Sequence, residues 1–187
     1  MNEPEAQTGV TAADVLAFWL AAGDRCWFEQ DDAFDAEIRA GFATVYEDAA
    51  AGRLGGWEQS ANGALALVIV LDQFSRNMFR DSARAFAADP LARAVAGRAI
   101  ARGFDRQAAM PERMFFYLPF EHSEDLADQE HCVALMRSTG DADLVKWAEL
   151  HADIVRRFGR FPHRNAALGR MTTAEEQAFL DGGGFNG

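Results

Sequence analysis

Lysine is almost missing from this chain. Lys146 stands alone, and arginine supplies the rest of the 18 basic side chains. Against 29 Asp and Glu residues this leaves a formal net charge of -11, which argues against a general affinity for nucleic acid or anionic membrane surfaces. Cysteine is scarce as well. Cys26 and Cys132 lie far apart and form no CxxC pair, so reduced thiols in a cytoplasmic protein are expected. The longest apolar run, Ala64 to Leu71, is far too short to span a bilayer. The opening MNEPEAQTG is acidic and lacks the apolar stretch of a secretory signal. No HExxH, GxSxG, Walker loop or dinucleotide glycine pattern occurs, and no residue pattern calls for a cofactor.

What is present reads as helix. The chain has 187 residues, 49% of them hydrophobic, which suits one domain over residues 11–187 behind a loose tail at 1–10. Thr11 and Asp14 form a cap pair before Val15, Leu16 and Trp19. Asp31 or Asp32 caps a helix carrying Phe34, Ile38, Phe42 and Tyr46. Trp57 to Asn77 is apolar on every side between Ala64 and Leu71, the mark of a buried element; its length favours helix over strand. Asp89-Pro90 reads as a capped helix start. Pro111 opens a segment that Pro119 breaks or kinks. Ser123 begins another helix, with Glu124 and Asp125 in its first turn. Asp141 or Asp143 starts a helix through Phe158, and Thr173 with Glu176 forms a capping box for a last one ending at Leu180. The expectation is an all-α fold of roughly seven or eight helices in stacked antiparallel hairpins, tetratricopeptide-like in kind, although no repeat period is visible.

Several polar residues break the apolar patterns. Asp72 and Arg76 are four apart and extend the buried stripe of Leu65 and Ile69, either as a structural ion pair or as an arginine held ready for a ligand. Gln129 falls inside the stripe of Leu126, Val133 and Met136, so its amide needs partners. His131 lies on the outer side. His151 interrupts Leu144, Trp147, Ile154 and Phe158, as a satisfied core histidine or a functional one. The stretch Phe158 to Asn165 packs Arg160, His163 and Arg164 into a loop constrained by Gly159 and Pro162. Such a loop suits a carboxylate or phosphate, or else its arginines serve the chain's own acids and carbonyls. Glu121 and His122 are adjacent and point apart on a helix, so no metal ligand set is assigned.

Three blocks carry a family likeness. They are Leu71-Asp72-Gln73-Phe74-Ser75-Arg76-Asn77-Met78-Phe79-Arg80, Phe116-Tyr117-Leu118-Pro119-Phe120-Glu121-His122-Ser123-Glu124, and Phe158-Gly159-Arg160-Phe161-Pro162-His163-Arg164-Asn165. With Phe18-Trp19 early and Phe179-Leu180 late, the chain resembles the bacterial domain of unknown function 924 over nearly its whole length. Ser75 stands where that pattern leads one to expect proline. The resemblance implies an all-α, tetratricopeptide-like fold and brings no activity, cofactor or catalytic residue with it.

Three functional readings follow. The first is a binding module with a polar pocket for a peptide or small anionic ligand, drawn from Arg76, Asn77, His122, Gln129, Arg160, Arg164 and Asn165. The second is a hydrolase-type enzyme using His151 or His163 as base, with Glu124 or Asp72 orienting it. In the third, the polar residues form a purely structural network. The residues leave open whether the protein is an enzyme, and they set no oligomeric state.

Overall fold

The computed structural model describes residues 9–185, so most of the expected tail at 1–10 lies outside the described residues. Among these the chain is all-α, with no strand. The span read as one domain divides into two compact units. The first comprises the chain up to Arg80 together with Arg84–Pro119; the second comprises Asp81–Ala83 and everything from Phe120 onward.

In the first unit, α1 (Ala12–Phe28) opens with the expected box. The Thr11 side chain accepts the Asp14 N–H, and Asp14 returns the bond to the Thr11 N–H at 2.8 Å. Gly23, at φ +72°, breaks this helix. The turn brings Trp27 back over Trp19, where its indole donates to the Trp19 carbonyl at 2.8 Å. Asp31, not Asp32, caps α2 (Asp32–Ala50) through the Ala33 and Phe34 amides.

The central helix differs from its sequence reading at both ends. Trp57 belongs to a 3₁₀ turn, Gly55–Gln59, and Ser60 caps α3 (Ala61–Val68) through the Gly63 amide. A side chain at position 63 would bring a Cβ to 2.1 Å from the Trp57 carbonyl oxygen, so glycine is what lets the turn fold down onto the helix. Beyond Val68 the helix widens to π geometry over Ile69–Phe74 and tightens again as α4 (Ser75–Met78). Such a widened turn is frequent where polar groups must be placed inside a helix. α1, α2 and α5 (Asp89–Ala101) pack around this element. Trp19, Ile38, Leu65, Ile69, Phe74 and Phe115 are fully buried there, each contributing roughly 1.5–3 kcal/mol of apolar transfer. Ala88, not Asp89, takes the cap position of α5.

The chain passes to the second unit within α6 (Leu118–Glu121). Pro119 starts this helix rather than breaking one, because an amide at a helix's first positions has no intrahelical partner to lose. α7 (Leu126–Thr139) begins later than expected. Asp125 caps it, while Ser123 donates to Asp128 at 2.6 Å and accepts the Asp125 N–H. Gly140, at φ +78°, ends it, and Asp141 immediately caps α8 (Ala142–Phe158), so the two helices fold back on each other as a hairpin. Gly159 stops α8, a 3₁₀ turn covers Pro162–Arg164, and the expected capping box of Thr173 and Glu176 opens α9 (Ala174–Asp181). No helix among the described residues is long and apolar enough to cross a membrane.

Candidate functional site

The polar residues singled out by sequence assemble into separate networks in the two units. In the first unit, Arg76 donates to both carboxylate oxygens of Asp89 at 3.0 Å and to the Asp72 carbonyl at 2.7 Å, with the Asp72 carboxylate 3.1 Å away. Asp72 also accepts from Gln73 at 2.6 Å. Asn77 donates to Asp35 at 2.7 Å, and Arg80 grips the same carboxylate. Asp72, Asp89, Asp35 and Asn77 are all buried. The flanking carboxylates hold Arg76 firmly charged even though burial opposes its charge most strongly. This arrangement ties helix to helix.

In the second unit the arginine-rich loop turns inward on the chain's own acids. Arg160 forms a two-pronged bond to Glu176 at 2.6 and 2.8 Å and reaches the Met171 carbonyl. Arg170 does the same to Glu124 at 2.6 and 2.9 Å. Arg164 donates to the His122 carbonyl at 2.9 Å and lies over the Phe161 ring. Asn165 bridges Glu176, Thr172 and Arg170. Glu124 also accepts the Phe161 N–H at 2.8 Å, so the carboxylate expected to orient a histidine instead holds the loop. These bonds keep Glu124 below the usual carboxylate range despite burial, and bring Glu176 down to about 2 through Arg160 first and the Thr173 amide second. Gln129 is wholly buried, and its amide nitrogen donates to the carbonyls of Glu121 and Ser123, each at 2.6 Å, with the Phe120 carbonyl at 3.4 Å. The amide thereby closes the end of α6.

Inside that frame lie the two histidines. The Nδ1 of His151 is 2.9 Å from the Trp147 carbonyl. A carbonyl only accepts, so Nδ1 carries the proton and Nε2 keeps its lone pair in the neutral ring. Burial pushes His151 down to about 4, against the pull of that bond, and His122 and Arg164 push the same way. His163 falls to about 3, through burial first and then Arg164 and His151, with Glu124 opposing. The Nδ1 of His163 is buried and has no hydrogen-bond partner among the described residues. Both imidazoles pack on Phe161, each with ring centroids 5.6 Å apart, and both meet Phe185, at 4.5 Å for His151 and 5.3 Å for His163. The carboxylate nearest His151 is Glu121, 3.5 Å from Nδ1 and itself buried. Its other oxygen lies 3.9 Å from the Cys132 thiol. Burial raises that thiol above its ordinary range, and the neighbouring Glu121 raises it further.

The family model for bacterial proteins of unknown function, DUF924, matches residues 15–184. The chain belongs to that family. Every candidate residue named from sequence falls inside the DUF924 match. A solved DUF924-like structure, that of a protein of unknown function from Agrobacterium tumefaciens, is similar to this chain at 46% identity and a TM-score of 0.89, covering 91% of this chain and 97% of its own. No curated protein matches.

The sequence reading missed three members of these networks. Glu121 was set aside as half of a poor chelating pair, Asp89 was read only as a cap, and Phe185 was passed over behind three glycines. Glu121 follows the apolar run Phe115 to Phe120, and that context was the available signal. Among the described residues no group of three His, Cys, Asp or Glu side chains is placed to hold a metal ion. An open groove of about 340 Å³ runs between α7 and α8, lined by Glu130, Arg137, Glu149 and Asp153 among others, and includes none of the candidate residues. Its arginines are paired there, Arg137 with Glu149 at 2.7 Å and Arg156 with Asp153.

Proposed function

We propose that the protein is a binding module whose ligand site is the imidazole and aromatic cluster of the second unit, His151, His163 and Phe161, and that its ligand is a peptide rather than a small anion. The observation that carries this reading is the buried Nδ1 of His163 without a hydrogen-bond partner, since a buried polar atom left unmade costs about 1–3 kcal/mol and invites a ligand group to complete it. An anion finds little here. Arg160 and Arg170 already hold carboxylates, and both imidazoles are neutral near pH 7. A peptide bond offers a donor and an acceptor together and serves either tautomer of His163.

The hydrolase-type alternative draws less support. An imidazole held near 3 or 4 is a poor proton acceptor at pH 7, and a thiol raised by burial is a poor nucleophile. The α7–α8 hairpin supports the tetratricopeptide-like reading, and the two free cysteines support a reducing, cytoplasmic setting. The test is a titration of histidine-labelled protein with acetylated amino-acid amides, benzoate, acetate and inorganic phosphate, followed through the imidazole NMR signals. Amides moving the His151 and His163 signals, with phosphate leaving them still, is the expected result. Phosphate shifting those signals most would replace the peptide reading with the anion one, and silence from every probe would remove the site.

A further inference from the structure

Phe185 reaches the imidazoles by a route that only glycine permits. After α9 the Gly182, Gly183 and Gly184 amides donate in turn to the Ala178, Leu180 and Phe179 carbonyls, folding the chain back over the helix end. Gly183 takes φ +79°, and a Cβ on Gly184 would sit 2.6 Å from the Phe179 ring and from its carbonyl oxygen. The strap therefore lies as close to Phe179 as a backbone can. What it delivers is one ring, partly buried, set edge-to-face against both His151 and His163.

The other members of the cluster are anchored. His151 rides on α8, and Phe161 is pinned by Glu124 and Arg170, which take its N–H and carbonyl. Phe185 comes instead from a short glycine segment whose backbone bonds all fall within the last turn of α9. It fills a slot walled by two imidazoles, yet the Nδ1 of His163 stays without a partner, because a phenyl ring has no group to offer it. A peptide aromatic side chain placed there would supply the same ring contacts and add a backbone amide within the cluster.

We propose that the slot is a receptor for an aromatic side chain of a peptide, and that Phe185 occupies it as a tethered competitor which the ligand must displace. This rests on the binding reading above and adds both a ligand class and an internal gate. A gate of this kind lowers the apparent affinity by the fraction of time the slot stands open, so removing Phe185 raises affinity by the reciprocal of that fraction.

The test compares the full chain with its Phe185→Ala and Gly184→Ala variants. The second leaves Phe185 in place but lifts the strap off Phe179. Each is titrated with N-acetyl-phenylalanine amide and N-acetyl-leucine amide, read at the His151 and His163 signals. The phenylalanine amide is expected to bind both variants about tenfold more tightly than the parent chain, with the leucine amide weaker throughout. Equal affinity in parent and variants overturns the gate while leaving a ligand site, and equal affinity for the two amides overturns the aromatic specificity. No shift in any of the three proteins overturns gate and site together.

Discussion

Replacing Gln129 with methionine keeps the volume of a wholly buried side chain and deletes the donor that serves the Glu121 and Ser123 carbonyls, both at 2.6 Å, and the Phe120 carbonyl at 3.4 Å. Two short hydrogen bonds are lost, each with a net value of about 1 kcal/mol. The acceptors left behind lie at the end of α6 and include the carbonyl of a buried glutamate, so part of their desolvation cost, about 1–3 kcal/mol for each, adds to the loss. A total near 3 kcal/mol is expected, and for a chain of this size it lowers the melting temperature by about 6–12 °C. Urea denaturation followed by circular dichroism measures it directly. Gln129→Glu supplies the control. Its ionised carboxylate faces carbonyl oxygens and should destabilise more than methionine at pH 7, with partial recovery in acid once it can donate a proton. A loss below 1 kcal/mol for Gln129→Met, or a glutamate better tolerated than methionine at pH 7, would show that the amide does not hold the end of α6.

Other consequences follow from the same networks. Stability should fall as pH drops below about 6.5, because His151 and His163 are held neutral to about 4 and 3 and the unfolded chain binds the protons first. Arg164 and His122 oppose their protonation while Glu124 favours it at His163, and the expected slope is about 1.4 kcal/mol per pH unit for each imidazole. A urea midpoint unchanged between pH 7 and 5 would contradict this. Arg76→Ala leaves Asp72 and Asp89 buried without their counter-ion and should cost about 3–5 kcal/mol, whereas a cost below 1 kcal/mol would mark the pair as idle. In native protein a thiol reagent should label Cys26 and spare Cys132 until the chain unfolds, and mass spectrometry of the labelled peptides reads both.

Local signals in the sequence served well, and distant ones did not. Thr11 with Asp14 and Thr173 with Glu176 form their boxes where the residue types say they should, because each box closes within three residues. Gln129 was legible as a buried amide needing partners because it interrupts an apolar stripe. Its partners, three carbonyls at the end of α6, were not, since they depend on how α6 meets α7. The arginines of the Phe158–Asn165 stretch left two readings open, and the geometry favours the chain's own acids, with Glu176 sixteen residues from Arg160 and Glu124 forty-six from Arg170. Asp89 looked like a cap because Asp-Pro is a strong local motif. Its carboxylate instead engages Arg76, thirteen residues earlier, which no local pattern encodes. Asp72, Arg76 and Asn77 were grouped in advance with the loop residues, yet they form a network of the first unit with Asp35 and Asp89.

The widened turn from Ile69 to Phe74 makes chain length part of the address of the first network. A π turn accommodates one residue more than an α turn over the same rise. Deleting a single apolar residue there, Val70 for instance, would let the backbone relax to ordinary helix and keep every hydrophobic contact type. It would also swing all that follows by about a hundred degrees, aiming Arg76, Asn77 and Arg80 away from Asp89 and Asp35. In this segment spacing constrains the protein more tightly than hydrophobicity does, and an insertion or deletion should be borne less well than a change of one aliphatic side chain for another.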